Sequence, residues 1–213
     1  MPGISSDGSW NFRVHGFVLN KEIRKQTSIM TITPILFIGP VRAGKSTLAS
    51  LVARRLNLSH ISLDEVRWKY YREIGYDEDL AKQIRTQGGF LALMFYRQLF
   101  DAYSVERVLG DNPEAVIDFG AGVGPFENQE HLKHIQKILM PIPNVFLILS
   151  SADIEETLRI LKQRDVNPPA DLKFDINVHF LHHPGYQLLA KHVIYTINKT
   201  PDQSCTEVLK LLN

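Results

Sequence analysis

Two rhythms alternate along the chain. Short, largely apolar runs recur at 34–38 (Pro-Ile-Leu-Phe-Ile), 60–63, 115–119, 144–149 and 193–197. Runs of this length, bounded by turn residues, are the pattern of strands buried on both faces of a parallel sheet. Between them the apolar residues fall three and four apart. Leu48, Leu51, Val52 and Leu56 form one face of a helix over 46–56, with Arg54 and Arg55 in its last turn, where cations complement the helix dipole. A charged stretch at 65–70 follows Asp64 and reads as helical. A longer helical region spans 77–105, interrupted near Gly88-Gly89, with Leu91, Met94, Phe95, Gln98 and Leu99 on its packed face. Further helices are expected at 128–139, at 152–164 with Ser150, Ser151 and Asp153 near its start, and at 206–212. Residues 166–181 contain Pro168-Pro169 and little periodicity, and read as a mobile connection.

Strands separated by helices, repeated along the chain, predict a three-layer α/β/α fold around a five-stranded parallel sheet with right-handed crossovers. The 213 residues suit one hydrophobic core with short appendages. Residues 1–29 read as a flexible N-terminal extension and 30–213 as the domain, with a lid around 165–181. Met1 and Met30 both stand as candidate starts.

Charge and cysteine content narrow the partners. A net charge of +1 without a block of Lys and Arg lacks the broad electrostatic footprint of a nucleic-acid binder. Cys205 is the single cysteine, which forbids an internal disulfide and points to a reducing cytoplasm. No apolar run approaches the ~20 residues that span a bilayer, and residues 1–16 lack a secretory-signal pattern. The expectation is a cytoplasmic monomer acting on a small molecule.

The most informative segment is Gly39-Pro40-Val41-Arg42-Ala43-Gly44-Lys45-Ser46, followed by Thr47, set between the first strand and the first helix. In a Gly-x-x-x-x-Gly-Lys-Ser turn, successive backbone N–H groups converge on one centre, and the positive end of the next helix caps it. That is a cradle for a polyphosphate. Gly39 and Gly44 let the backbone wrap closely. Lys45 is placed to bridge the β- and γ-phosphates of ATP, and the Ser46 hydroxyl to ligate Mg²⁺. Arg42 either touches phosphate or is a solvated loop charge.

Two acids stand at the ends of later strands. Asp118 closes an apolar strand, where a carboxylate reaches the same Mg²⁺ or caps the turn. Asp64 follows the second strand, beyond whose carboxyl end ligands lie in open parallel sheets. It either orients the hydroxyl that attacks a phosphoryl group or caps the helix beginning at Glu65. Arg67, one turn on, serves a substrate anion or pairs with Asp64. Gly120-Ala121-Gly122 after the third strand marks close backbone approach to a substrate. Trp68, Tyr70 and Tyr71 read as core or pocket wall, not as a nucleic-acid stacking platform, because few basic residues interleave with them. Among Arg159, Lys162 and Arg164, at the end of the helix before the connection, we assign Arg164 the catalytic place beside the phosphates; solvated helix-end cations are the alternative. His179, His182 and His183 lack the spacing of a metal site.

In this order the features resemble the shikimate kinase family and the wider group of small-molecule P-loop kinases, over about residues 33–212. Residues 39–46 match the family's nucleotide loop. Ser62-Leu63-Asp64 stands where the family has an Asp-x-Asp pair, and Gly120-Ala121-Gly122 stands where it has a glycine triplet lining the substrate site. Residues 158–165 resemble the helix leading to its lid, and His183-Pro184-Gly185-Tyr186 its Pro-x-Tyr stretch. The resemblance implies a strand order of 2-3-1-4-5, with ATP and Mg²⁺ as cofactors. Ser62 replaces the first acid of the pair, Asn167-Pro168-Pro169-Ala170 replaces the lid's Arg-Pro-Leu-Leu, His182 replaces an arginine, and only Arg97 is available for the substrate helix's arginine. Those arginines hold shikimate in the family, so the resemblance extends to the nucleotide half and leaves the substrate open. The Asp64/Asp118 combination looks more like polynucleotide-kinase-type or antibiotic-phosphorylating relatives. The function expected is transfer of the ATP γ-phosphoryl group to a metabolite hydroxyl. The rivals are a nucleoside or nucleic-acid-end kinase, favoured by a pocket of stacked aromatics with nearby cations, and a nucleotide-binding regulator.

Overall fold

A computed structural model describes residues 34–164 and 175–213. The expected extension at 1–29, the Asn167–Ala170 departure and residues 165–174 of the expected lid lie outside the described residues.

The strands are β1 (Ile35–Ile38), β2 (His60–Ser62), β3 (Val116–Asp118), β4 (Val145–Leu149) and β5 (His192–Tyr195). They form one sheet in the order β2-β3-β1-β4-β5, and every pairing is parallel. The helices are α1 (Lys45–Leu56), α2 (Leu63–Glu73), α3 (Glu78–Asp111), α4 (Gln129–Leu139), α5 (Ile154–Gln163), α6 (Ile176–His182), α7 (Gly185–Leu189) and α8 (Pro201–Leu211).

The central strands β3, β1 and β4 are largely apolar because successive strand residues point to opposite faces and both faces are covered there, whereas the edge strands β2 and β5 are only partly buried. Leu36, Ile38, Ile117, Val145 and Leu147 pack with residues of α2, α3 and α4, among them Leu63, Val105 and Ile135. Ile35, Phe37, Val116, Phe146 and Ile148 pack against the other layer, with Leu48 and Val52 of α1 and Val208 of α8.

Register decides what the carboxyl edge of the sheet presents. Phe37 pairs with Asp118 and Asp118 with Ser62, so the edge strand β2 ends level with β3 and β1 runs one residue further. The loop after β1 and the start of α2 therefore emerge beside Asp118.

The elements depart from the sequence pattern in several places, among them an unexpected α7 at Gly185–Leu189 and a β5 that starts at His192. Leu63 opens α2 rather than ending β2, so Ser62 is the N-cap and Asp64 lies inside the first turn, which removes its role as a cap before Glu65. Residues 176–181, expected to be irregular, form α6, because the Asp175 side chain accepts from the Asn177 N–H and Ile176, Phe180 and Leu181 bury one face. The nearby prolines dilute that short pattern. α3 runs on to Asp111, past the expected end, with non-helical backbone at Gly89 (φ 71°), where the interruption is expected. α8 starts at Pro201, earlier than expected, since Thr200 and Gln203 form a reciprocal capping box in front of it.

Candidate functional site

The phosphate loop leaves β1 at Gly39, whose φ is 140°. A Cβ there would stand 2.5 Å from the Ile148 carbonyl oxygen on β4, so only glycine lets the chain turn this close to its neighbour strand. The loop then passes through Arg42 in the left-handed region (φ 63°) and reaches Gly44 (φ 98°), which caps α1 without a side-chain hydrogen bond. The start of α1 thus keeps the polarity that suits an anion.

Lys45 is buried, and its Nζ donates to the Pro40 carbonyl at 2.9 Å, across the loop's own concavity. Burial lowers its pKa to about 8, partly opposed by the charge of Asp118. Two contacts from later in the chain hold the loop. The Asn177 amide of α6 accepts from the Val41 N–H at 2.8 Å and donates to the Val41 carbonyl at 3.4 Å. Arg164, at the C-cap of α5, donates through Nη1 to the Arg42 carbonyl at 3.2 Å, and so reaches the loop itself. Arg159 instead lies near Glu156, at 3.8 Å on its own helix.

Asp118 is almost wholly buried at the end of β3. Its Oδ1 accepts from Ser46 Oγ at 3.0 Å and from Ser62 Oγ at 3.3 Å, while Oδ2 lies 2.6 Å from His60 Nε2. Strand alternation places His60 and Ser62 on one face of β2, and the level register brings that face to Asp118. Ser46 hydroxyl and Asp118 carboxylate are hard oxygen donors of the kind Mg²⁺ takes. Among the described residues, no group of three or more His, Cys, Asp and Glu side chains is arranged as a metal site. The Ser46–Asp118 pair would suit a Mg²⁺ carried in by a nucleotide. The three histidines expected to be ordinary residues include His182, whose Nδ1 stands 2.7 Å from the Val178 carbonyl oxygen.

On the other side of the crevice Asp64 and Arg67 form an ion pair within the first turn of α2. Of the two readings left open for Arg67, the structure displays the pair. Arg67 also reaches Asp101 of α3 at 3.3 Å, and Asp101 accepts a 2.6 Å hydrogen bond from the Tyr71 hydroxyl. Burial, aided by Asp101, pushes the Tyr71 phenol well above its ordinary range, which keeps it a donor. Asp64 is the exposed end of this chain, with 55% of its side chain accessible, whereas Arg67 and Asp101 are largely buried. Gly120 lies directly against the pair, and a Cβ there would collide with both Asp64 Oδ1 and Arg67 Nη2. Gly122 faces Asp101, and the Ala121 carbonyl accepts from Tyr186 at 2.5 Å. The glycine triplet thus lines the acidic side of the crevice.

Three residues of this arrangement are not marked by the sequence pattern. His60 is hidden as a strand position, although its spacing of two from Ser62 is a usable signal. Asp101 is hidden as an ordinary helix charge. Asn177 sits in the segment read as irregular, and the buried amide among Ile176, Phe180 and Leu181 becomes conspicuous only once α6 exists.

No family model matches the sequence, and no curated protein matches it. Solved structures do. A shikimate kinase from Acinetobacter baumannii, in complex with shikimate, superposes with a TM-score of 0.55 at 18% identity, covering 85% of this chain and 93% of its own. Shikimate kinases from Aquifex aeolicus (TM-score 0.51, 21% identity, 83% and 94% covered) and Bacteroides thetaiotaomicron (0.52, 18%, 84% and 98%) behave alike. The chain has the fold of the shikimate kinases, with its phosphate loop, Asp118, Asp64 and glycine triplet gathered at the carboxyl edge of a parallel β2-β3-β1-β4-β5 sheet.

Proposed function

We propose that the chain is an ATP-dependent phosphotransferase that moves the γ-phosphoryl group to a hydroxyl of a small molecule. The observation that carries this reading is the 3.0 Å hydrogen bond between Ser46 of the phosphate loop and Asp118 of β3. It brings together, beside a buried lysine, two oxygen donors that would hold a nucleotide-bound Mg²⁺. A turn that merely connects strand to helix has no use for that combination. The shared fold with shikimate kinases supports the reading.

Bound ATP and Mg²⁺ supply the phosphoryl group and the charge that neutralises its oxygens. The rest falls to this chain's residues. Lys45 exchanges the Pro40 carbonyl for the β- and γ-phosphates, with its full charge restored by them. Backbone N–H groups of residues 39–47 cradle the phosphates, and Asn177 and Arg164 keep that loop in shape. Ser46 and Asp118 would hold the metal. Asp64 accepts the proton of the acceptor hydroxyl as its oxygen bonds to phosphorus and the bond to ADP breaks. Arg67, tied to Asp101, fixes the orientation of Asp64.

The test is ADP release over a panel of hydroxylated metabolites with wild type and Lys45→Ala. Acceptor-dependent release that the substitution abolishes supports the reading. Release that survives the substitution, in a protein that stays folded, removes it.

A further inference from the structure

Away from the phosphate loop, a groove of about 360 Å³ is lined by Trp68, Arg72, Tyr76, Lys82, Arg85 and Arg97, with Glu78 as the one carboxylate in its lining. It lies between α2 and the parts of α3 on either side of Gly89. Four cations line it beside Glu78, and Lys82 is paired with Asp79 at 2.8 Å, so a positive excess remains in a chain whose net charge is only +1.

Its walls are flat as well as charged. The Arg97 guanidinium lies over the Trp68 ring, 5.2 Å from the centroid, and its Nε donates to the Tyr76 hydroxyl at 3.1 Å. Trp68 meets Tyr76 edge-on at 5.7 Å and remains partly exposed. Arg72 is exposed, and no hydrogen bond or ion pair among the described residues engages its guanidinium. An exposed tryptophan backed by an arginine, with an uncommitted arginine beside it, is a surface that stacks a planar ring and holds an anion.

The groove is not placed at random relative to the candidate site. Asp64, Trp68 and Arg72 follow one another four residues apart, along one face of α2. The rise of an α-helix puts Trp68 about 6 Å and Arg72 about 12 Å along the axis from Asp64. A molecule whose hydroxyl sits at Asp64 and whose body follows α2 meets first a ring surface and then cations.

We infer that this groove holds the far end of the phosphoryl acceptor, and that the acceptor is nucleotide-like, with a planar base and a phosphate on the same molecule as the reacting hydroxyl. The inference rests on the transfer reading of Asp64. The hydroxyl oxygen bonds to the γ-phosphorus, its proton passes to Asp64, and ADP leaves with the electrons of the broken bond. A free nucleotide and the end of a short single strand offer the same chemistry. The limited basic area fits one or two nucleotide units, not a long duplex.

The experiment is calorimetric titration with the phosphate loop saturated by a non-hydrolysable ATP analogue. The probes are a nucleoside 3′-monophosphate, a trinucleotide with a free 5′-hydroxyl, and shikimate as an acid without an aromatic ring. Wild type binds at least one nucleotide probe more tightly than shikimate. Trp68→Leu and Arg72→Gln each weaken that binding by roughly tenfold or more. Arg72 is exposed and unengaged, so its substitution tests the groove even if Trp68→Leu disturbs folding. Preference for the trinucleotide assigns a strand end, and equal binding assigns a free nucleotide. Nucleotide binding indifferent to both substitutions, or no tighter than that of shikimate, overturns the proposal. When ATP replaces the analogue, groove-dependent binding without acceptor-dependent ADP release keeps the groove assigned and removes the transfer reading instead.

Discussion

The buried ammonium of Lys45 makes nucleotide binding depend on pH in a calculable way. Burial lowers its pKa from 10.5 to about 8 in the folded chain, against the opposing pull of Asp118. Below about pH 8 the lysine is charged in both folded and unfolded states, and the folded protein carries the full cost of burying it. Between about 8 and 10.5 the unfolded chain holds a proton that the folded one lacks, so stability rises with pH across that window, by ~3 kcal/mol in all. Phosphates reverse the situation by surrounding the ammonium with negative charge. ADP binding above about pH 8 must therefore take up a proton, and the Kd follows the fraction of Lys45 that is already charged. That fraction falls about tenfold from about pH 7 to about pH 9, so affinity weakens by roughly the same factor. Calorimetry at pH near 8 in two buffers of different ionisation enthalpy should register about half a proton taken up per ADP. Lys45→Met should bind more weakly at every pH and lose the slope. A wild-type Kd that stays flat over this range, or a slope that persists in Lys45→Met, refutes the reasoning.

The two acids should fail differently. Asp64→Asn should lower transfer ~10²–10⁴-fold with nucleotide affinity intact and no rescue by added Mg²⁺, since an amide cannot take the acceptor's proton; steady-state rates at several Mg²⁺ concentrations decide it. Asp118→Asn should lose activity that high Mg²⁺ partly restores, because the amide oxygen still supports a weakened metal site; an activity curve with unchanged Mg²⁺ dependence argues against Asp118 at the metal. Asn177→Leu removes both hydrogen bonds to Val41 and should cost about 1 kcal/mol in chemical denaturation while raising the Kd for ADP; unaltered ADP affinity would show that the loop holds its shape alone. Shikimate should be a poor acceptor, with kcat/KM well below ~10⁴ M⁻¹s⁻¹, because Arg97 is committed to Trp68 and Tyr76 and His182 stands where an arginine is expected.

Local chemistry is legible in the amino-acid sequence alone. The alternation of apolar runs and helical spacings determines the strands, the helices and a sheet covered on both faces, because burial on two sides demands continuous apolar sequence. The phosphate loop is equally plain, since Gly39, Gly44, Lys45 and Ser46 act within one turn of chain. Asp64 and Asp118 stand out by their places after strands, but each has a second role open to it. Tertiary structure narrows those alternatives. Parallel register sets Asp118 beside Ser62 and carries Ser46 to it across 72 positions of sequence, while helix α2 begins too early for Asp64 to be its cap. His60, Asp101 and Asn177 become visible only by assembly. Their partners lie 58, 34 and 136 residues away, and nothing in a local pattern records which distant residue a polar side chain will meet. The groove along α2 is of the same kind. Trp68 and Arg72 share a helix face by spacing alone, but Arg85 and Arg97 come to them because α3 breaks at Gly89 and packs both of its parts against that face.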